Sequence, residues 1–334
     1  MRIPLLLLSV LLCRVPAAGQ ESHLLLVVGL GGDPEYRAQF HGWAVDLVTA
    51  AVDRFGLSAE RVTYLGERPA DDPGTIDDRS TVENISATLT RMAAEAGPQD
   101  RILIVLIGHG TGQGADVEFN LPGPDLTPGE LDEMLQKFPT QTIGVVNTSP
   151  SSGPFIPVLS GPNRVVLTAT RTAQERNETQ FGGFFVEAMS GEGTDLDRDG
   201  RVSLAEAFQY ARVEVDRYYA SQNLLATEHA LLDDNGDGEG SGELGEDMPD
   251  GLLAGGFWLG PAGAVAAGSA IPDSVTDPAL RRLYQERAEL EQRVIQLRAL
   301  RGQMEEARYE QELETLLVEL ALKSREIREK GGGG

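Results

Sequence analysis

The twelve residues Asp195 to Glu206 (Asp-Leu-Asp-Arg-Asp-Gly-Arg-Val-Ser-Leu-Ala-Glu) set oxygen donors at the spacing of an EF-hand loop. Asp195, Asp197 and Asp199 each offer a carboxylate oxygen, Arg201 its carbonyl, Ser203 the ninth position and Glu206 a bidentate carboxylate. Gly200 permits the sharp turn and Val202 fills the apolar eighth place. Hard oxygen ligands in that number suit calcium. Ser203-Leu204-Ala205-Glu206 also reads as a capping box opening a helix to about Ala220, and both readings can hold at once. Ser190 to Thr194 separates Asp195 from the preceding helix, so the pattern predicts a calcium loop followed by one helix. Asp233 to Glu239 imitates a second loop, but its twelfth place falls on Leu244, with Glu243 one residue early. That segment is either a second calcium loop or a solvated acidic loop.

A different chemistry is suggested by Gly108-His109-Gly110-Thr111-Gly112, which follows the apolar run Arg101 to Ile107. A His between glycines at the end of a strand is placed to act as a base, with the Gly110 N–H as an oxyanion donor. A loop His can equally be structural. The next apolar run leads into Asn147-Thr148-Ser149-Pro150-Ser151-Ser152-Gly153, which offers hydroxyls as nucleophiles. Gly29-Leu30-Gly31-Gly32 follows the first strand but lacks the third glycine of a dinucleotide fingerprint, and no Gly-Lys-Ser/Thr follows. It reads as a plain glycine turn.

These residues need elements to position them. Short β-branched runs at 23–29, 62–65, 101–107, 142–146 and 164–169 read as buried parallel strands. Between them lie helical patterns over Tyr36 to Phe55, from the capping box Ser80-Thr81-Val82-Glu83 to about Glu95, and from Thr127-Pro128-Gly129-Glu130 to about Phe138. Alternation of this kind predicts an α/β fold: a doubly wound, mostly parallel sheet with helices on both faces. Chemistry in such sheets sits beyond the carboxyl ends of the strands.

The order of motifs resembles the caspase-like cysteine peptidases of clan CD, most closely the legumain-type branch and its bacterial relatives. The likeness rests on Leu24 to Gly32 with Tyr36 and Trp43, on Gly108-His109-Gly110, on Ser152-Gly153, and on Thr168-Ala169-Thr170, and spans about residues 23 to 220. It implies His109 as catalytic base, Gly110 as oxyanion donor, and a cysteine just before Ser152-Gly153. Here Ser149, Pro150 and Ser151 stand instead, and any of the three can align with the nucleophile. A thiolate forms readily beside a His, whereas a hydroxyl needs a well-aligned base. The resemblance therefore implies a non-catalytic relative, with a peptide ligand in the vestigial cleft. The alternative is a hydrolase that uses Ser149 with His109 as base.

Composition narrows the setting. Of the 334 residues, 28 are Lys or Arg and 52 are Asp or Glu, a formal net charge of −24. Such a surface repels phosphate backbones and excludes nucleic acid as a partner. Residues 187 to 250 carry 17 of the acids and four of the bases, so the charge concentrates around the calcium loop. Residues 1–19 read as a signal peptide: Arg2, then an apolar run from Ile3 to Leu12 too short to span a bilayer, then Ala17-Ala18-Gly19. The only cysteine, Cys13, lies within it. The mature chain is thus expected to be exported, periplasmic or extracellular, and free of thiols and of membrane spans.

The expected order is a caspase-like domain over 20–260, a linker over 261–276, and a helical hairpin or coiled coil over 277–330. In that last region Leu283, Leu290, Val294, Leu297 and Met304 form one stripe, and Tyr309, Leu313, Leu316, Leu320 and Ile327 another. Those helices are the expected surface for a protein partner or for self-association.

Overall fold

The computed structural model describes residues 20–114, 116–191, 194–196, 201–245, 248–260, 277–299 and 306–331. The signal-peptide and linker expectations, together with Asp197, Asp199, Gly200 and Met304, lie outside them. The strands are β1 (Ser22–Val28), β2 (Val62–Gly66), β3 (Asp78–Arg79), β4 (Arg101–Ile107), β5 (Gly110–Gln113), β6 (Asp116–Phe119), β7 (Thr142–Asn147), β8 (Arg164–Thr168) and β9 (Leu231–Asp233). The helices are α1 (Pro34–Thr49), α2 (Val82–Glu95), α3 (Pro128–Leu135), α4 (Ile156–Leu159), α5 (Phe181–Ser190), α6 (Leu204–Ser221), α7 (Leu252–Gly255), α8 (Pro278–Ala299) and α9 (Glu306–Gly331).

Seven strands form one sheet in the order β3-β2-β1-β4-β7-β8-β9, parallel except for the edge strand β9, which runs antiparallel to β8. The strand runs are apolar throughout because both faces are covered. Leu24, Leu26, Leu103, Val105, Val146 and Leu167 point to one side, where they pack with α1, α5 and α6. Leu25, Val27, Ile102, Ile104, Val145 and Val166 point to the other and meet α2, α3 and α4. The two lists interleave residue by residue, as the period of two in a strand demands. Phe257, Trp258 and Leu259 are buried, and Phe257 and Leu259 join the first core, so the Gly-rich segment after α7 starts by packing on the domain.

Local signals held at most element starts. Asp33 caps α1 by accepting from Glu35 N and Tyr36 N, and Thr127 with Glu130 forms the expected capping box of α3. The long first helix is not uniform: after Thr49 it opens into a π-turn, with Phe55 N bonding Ala50 O. The expected cap at Ser80 is corrected. Thr81 is the N-cap of α2, while Ser80 is fully buried and donates its hydroxyl to Val28 O at 2.6 Å. A buried strand-end carbonyl needs a donor, and the neighbouring Thr can cap as well.

The last two helices pack on each other. Leu290, Leu297, Tyr309 and Leu316 form one small cluster, and Leu280, Leu283 and Ile327 another, while Lys323–Glu286 and Arg293–Glu319 bridge the pair. The apolar stripes expected to face a partner are therefore largely spent between α8 and α9. No residue of these clusters belongs to the cores on either side of the sheet. Deleting residues 277–334 should accordingly leave a cooperative domain whose melting temperature moves by less than roughly 3 °C. Loss of the unfolding transition in circular dichroism would place the hairpin within the core. Among the described residues, no helix is long and apolar enough to cross a membrane.

Candidate functional site

From β1 the strand order runs outward one way through β2 and the other way through β4, so their carboxyl ends flank the switch point of the sheet. His109 stands two residues beyond β4, at that crevice. Its ring lies edge-on to Tyr36 and Phe40, with centroids 5.0 and 5.1 Å away. Nδ1 is 3.0 Å from Glu178 Oε2, and Nε2 is 3.2 Å from the Gly31 carbonyl. Gly31 is itself fixed, because its N–H donates to Glu67 Oε2, which also receives Arg37 Nε.

A carboxylate and a carbonyl both only accept, whereas a neutral imidazole has a single N–H. The geometry therefore favours the doubly protonated ring. Consistently, the hydrogen bond to Glu178 holds the His109 pKa above its usual value, against the opposing effect of burial. A ring in that state is a poor general base. A raised folded pKa means that the pairing stabilises the protein below the unfolded value of about 6.5 and is lost as pH rises through the folded value. Glu178→Gln should lower the His109 pKa in an NMR titration and cost about 1 kcal/mol at acidic pH. An unmoved titration would show that Glu178 does not hold the ring.

The turn after β7 brings the candidate nucleophiles to the same edge. Ser149 is 1% exposed, and both its N–H and its hydroxyl donate to Asn147 Oδ1, at 3.0 and 2.7 Å. It sits against Gly110: a Cβ on that glycine would lie 2.7 Å from Ser149 Oγ and 2.5 Å from Pro150 O. Ser151 is buried with φ 59°, a left-handed conformation that costs a non-glycine residue about 1 kcal/mol. Its hydroxyl donates to Ala173 O, and its N–H to Glu175 O. Ser152 Oγ exchanges hydrogen bonds with Thr170, whose hydroxyl also receives Gly153 N. Gly110 and Ser149 are thus brought together, while the His109 ring is turned to Glu178 and Gly31. Glu178 and Asn147 were not anticipated from the sequence. Glu178 lies in an unpatterned loop after β8 and carries no local signal.

Around the acidic loop the structure describes Asp195, Arg201, Ser203 and Glu206. The capping box is formed: Glu206 N bonds Ser203 Oγ, and Ser203 N and Oγ donate to Glu206 Oε2. Glu206 Oε1 accepts from Leu196 N at 2.8 Å, so the second and twelfth loop positions meet. Oε1 keeps a further lone pair for a cation, whereas Oε2 already accepts two hydrogen bonds, from Ser203 N and Oγ. Ser203 also bridges to Trp258, and Leu204 N bonds Phe257 O, anchoring the loop's exit to the core. No group of three or more His, Cys, Asp or Glu that could hold a metal ion is gathered among the described residues. In the second acidic stretch, Asp234 accepts from Gly251 N and Ala254 N, and Asp233 from Gly236 N. Those carboxylates fold the 231–255 segment through backbone amides.

No family model matches the sequence, and no curated protein does. Among solved structures, the chain is similar to protein GSU0716 from Geobacter sulfurreducens, with 14% identity and a TM-score of 0.41. The match covers 64% of this chain and 92% of that one.

Proposed function

We propose that the chain is an exported, caspase-like domain of the legumain type that has lost peptidase chemistry and serves as a calcium-bound protein-interaction module. The observation that carries the loss of catalysis is the double engagement of His109, with Glu178 on one nitrogen and Gly31 on the other. Ser149 supports it, being buried and bonded to Asn147 rather than to the imidazole. Proline after Ser149 further stiffens the turn, and small displacements of a nucleophile are costly.

Calcium is assigned to Asp195, Asp197, Asp199, Arg201, Ser203 and Glu206. The closure of Leu196 onto Glu206 fits a chain wrapped about a cation. When bound, the ion would tie the loop to the start of α6. The C-terminal pair is read as a coiled-coil hairpin that presents its outer face to a partner or a second copy; Val318 and Leu322 are exposed there.

The test is direct. With calcium present, wild type should hydrolyse fluorogenic peptides with acidic or basic P1 residues no faster than His109→Ala. Cleavage lost in His109→Ala, with fluorophosphonate labelling of Ser149, would replace this reading with a serine hydrolase. Calcium should raise the wild-type melting temperature, and Glu206→Gln should remove most of that rise; an equal rise in both would overturn the calcium assignment.

A further inference from the structure

At the amino end of the sheet, opposite the His109 crevice, a charged cluster closes over the start of β1. His23 is 1% exposed, and its Nε2 lies 2.7 Å from Arg61 Nη1 and 3.3 Å from Asp100 Oδ2. Arg61 directly precedes β2 and Asp100 directly precedes β4, the two strands that flank β1. The Asp100 carboxylate is anchored, because Oδ1 receives Glu21 N and Oδ2 receives Gly97 N, both at 2.9 Å. Arg61 is held less firmly. Its side chain is 31% exposed, and Glu21 and Asp100 stand 3.8 and 3.9 Å away, beyond hydrogen-bond distance.

A guanidinium only donates hydrogen bonds and a carboxylate only accepts them, so one ring nitrogen cannot serve both partners at once. The neutral ring offers its Nε2 lone pair to Arg61. The protonated ring donates Nε2–H to Asp100 and sets a second positive charge against Arg61. The shorter contact, to Arg61, marks the neutral form as the resting one. Burial is the largest influence and lowers the His23 pKa, with the Arg61 charge adding to it; the hydrogen bond to Asp100 and the charges of Asp100 and Glu95 oppose.

We propose that His23 is a proton-operated switch at the base of the sheet: neutral, it holds Arg61; protonated, it engages Asp100 and expels Arg61 towards Glu21. Arg61 is the member that moves, since two backbone amides fix Asp100. Acid thereby removes the side-chain link between the starts of β1 and β2. Because the folded pKa is lowered, the stability is fully present above the unfolded value of about 6.5 and is lost as pH falls below it towards the folded value. His109 behaves oppositely, its pairing with Glu178 being strongest in acid. The switch uses neither His109 nor Ser149 and stands apart from the pseudopeptidase reading.

An NMR titration of the full chain from about pH 8 to about pH 4.5 tests this, following the His23 imidazole and the Arg61 Nε–H together. The His23 midpoint should fall below about 6.5, and the Arg61 signal should move with the same midpoint. His23→Gln should abolish that step at Arg61, which a merely structural imidazole would never have produced. Arg61→Gln removes the competing cation and should raise the His23 midpoint by about half a pH unit or more. Arg61 is partly exposed, so this variant decides the matter if His23→Gln fails to fold. A His23 midpoint at or above about 6.5, a ring still neutral at about pH 4.5, an Arg61 signal indifferent to His23, or an unmoved midpoint in Arg61→Gln would overturn the proposal.

Discussion

Gly153→Ala should cost about 3 kcal/mol, the largest loss expected from adding a single methyl group to this chain. A Cβ at Gly153 would stand 2.1 Å from the Arg171 carbonyl oxygen, 2.3 Å from its carbon and 2.7 Å from Thr172 N. All three atoms are backbone, so no side chain can swing aside. The segment they belong to is also held by the bonds of Ser152 and Gly153 to Thr170, and of Ser151 N to Glu175. Relief of the clash therefore breaks buried hydrogen bonds. Thermal unfolding should show a drop of roughly 6–12 °C. A change smaller than about 2 °C would mean that the turn carrying Ser149 is not packed on the loop after β8.

Trp258→Ala is expected to be comparably severe, at about 4 kcal/mol. Trp258 is 5% exposed, and its ring carries Arg101 at 3.6 Å and Arg201 at 4.1 Å from the centroid. Arg101 is itself 5% exposed, and its guanidinium also donates to the carbonyls of Gly256 and Trp258. Removing the indole opens a cavity and leaves a buried cation without its aromatic face, so transfer and electrostatic losses add. Trp258→Phe keeps a ring and should cost about 1–2 kcal/mol. Urea denaturation followed by circular dichroism separates the variants without relying on tryptophan emission. Equal midpoints for wild type and Trp258→Ala would contradict the packing of this segment on the sheet.

Much of the fold was legible because its signals are local. Apolar β-branched runs of five to seven residues marked β1, β2, β4, β7 and β8, and capping residues marked α3 and α6. The parallel arrangement followed from their alternation with helices. Strand β9 escaped notice because three residues carry no usable period, and its antiparallel sense depends on pairing with β8 rather than on its own sequence. Ser80 and Thr81 are chemically near-equivalent caps, and only the burial of Ser80 beneath Val28 O separated them.

The candidate site divides in the same way. That His109 and Ser149 each stand just beyond the end of a strand was determined by the sequence, since strand ends follow from the apolar runs; that the two strands are neighbours was decided by the sheet order. The absence of a thiol in residues 20–334 was determined by the sequence as well. What each group bonds to was decided only by the tertiary structure. Glu178 reaches His109 from the loop after β8, Gly31 from the turn after β1, and Asn147 takes the Ser149 hydroxyl. A hydrogen bond between distant segments leaves no periodicity in the chain. It depends instead on which loops the sheet order brings to one edge, and the order β1-β4-β7-β8 places these four loop regions side by side.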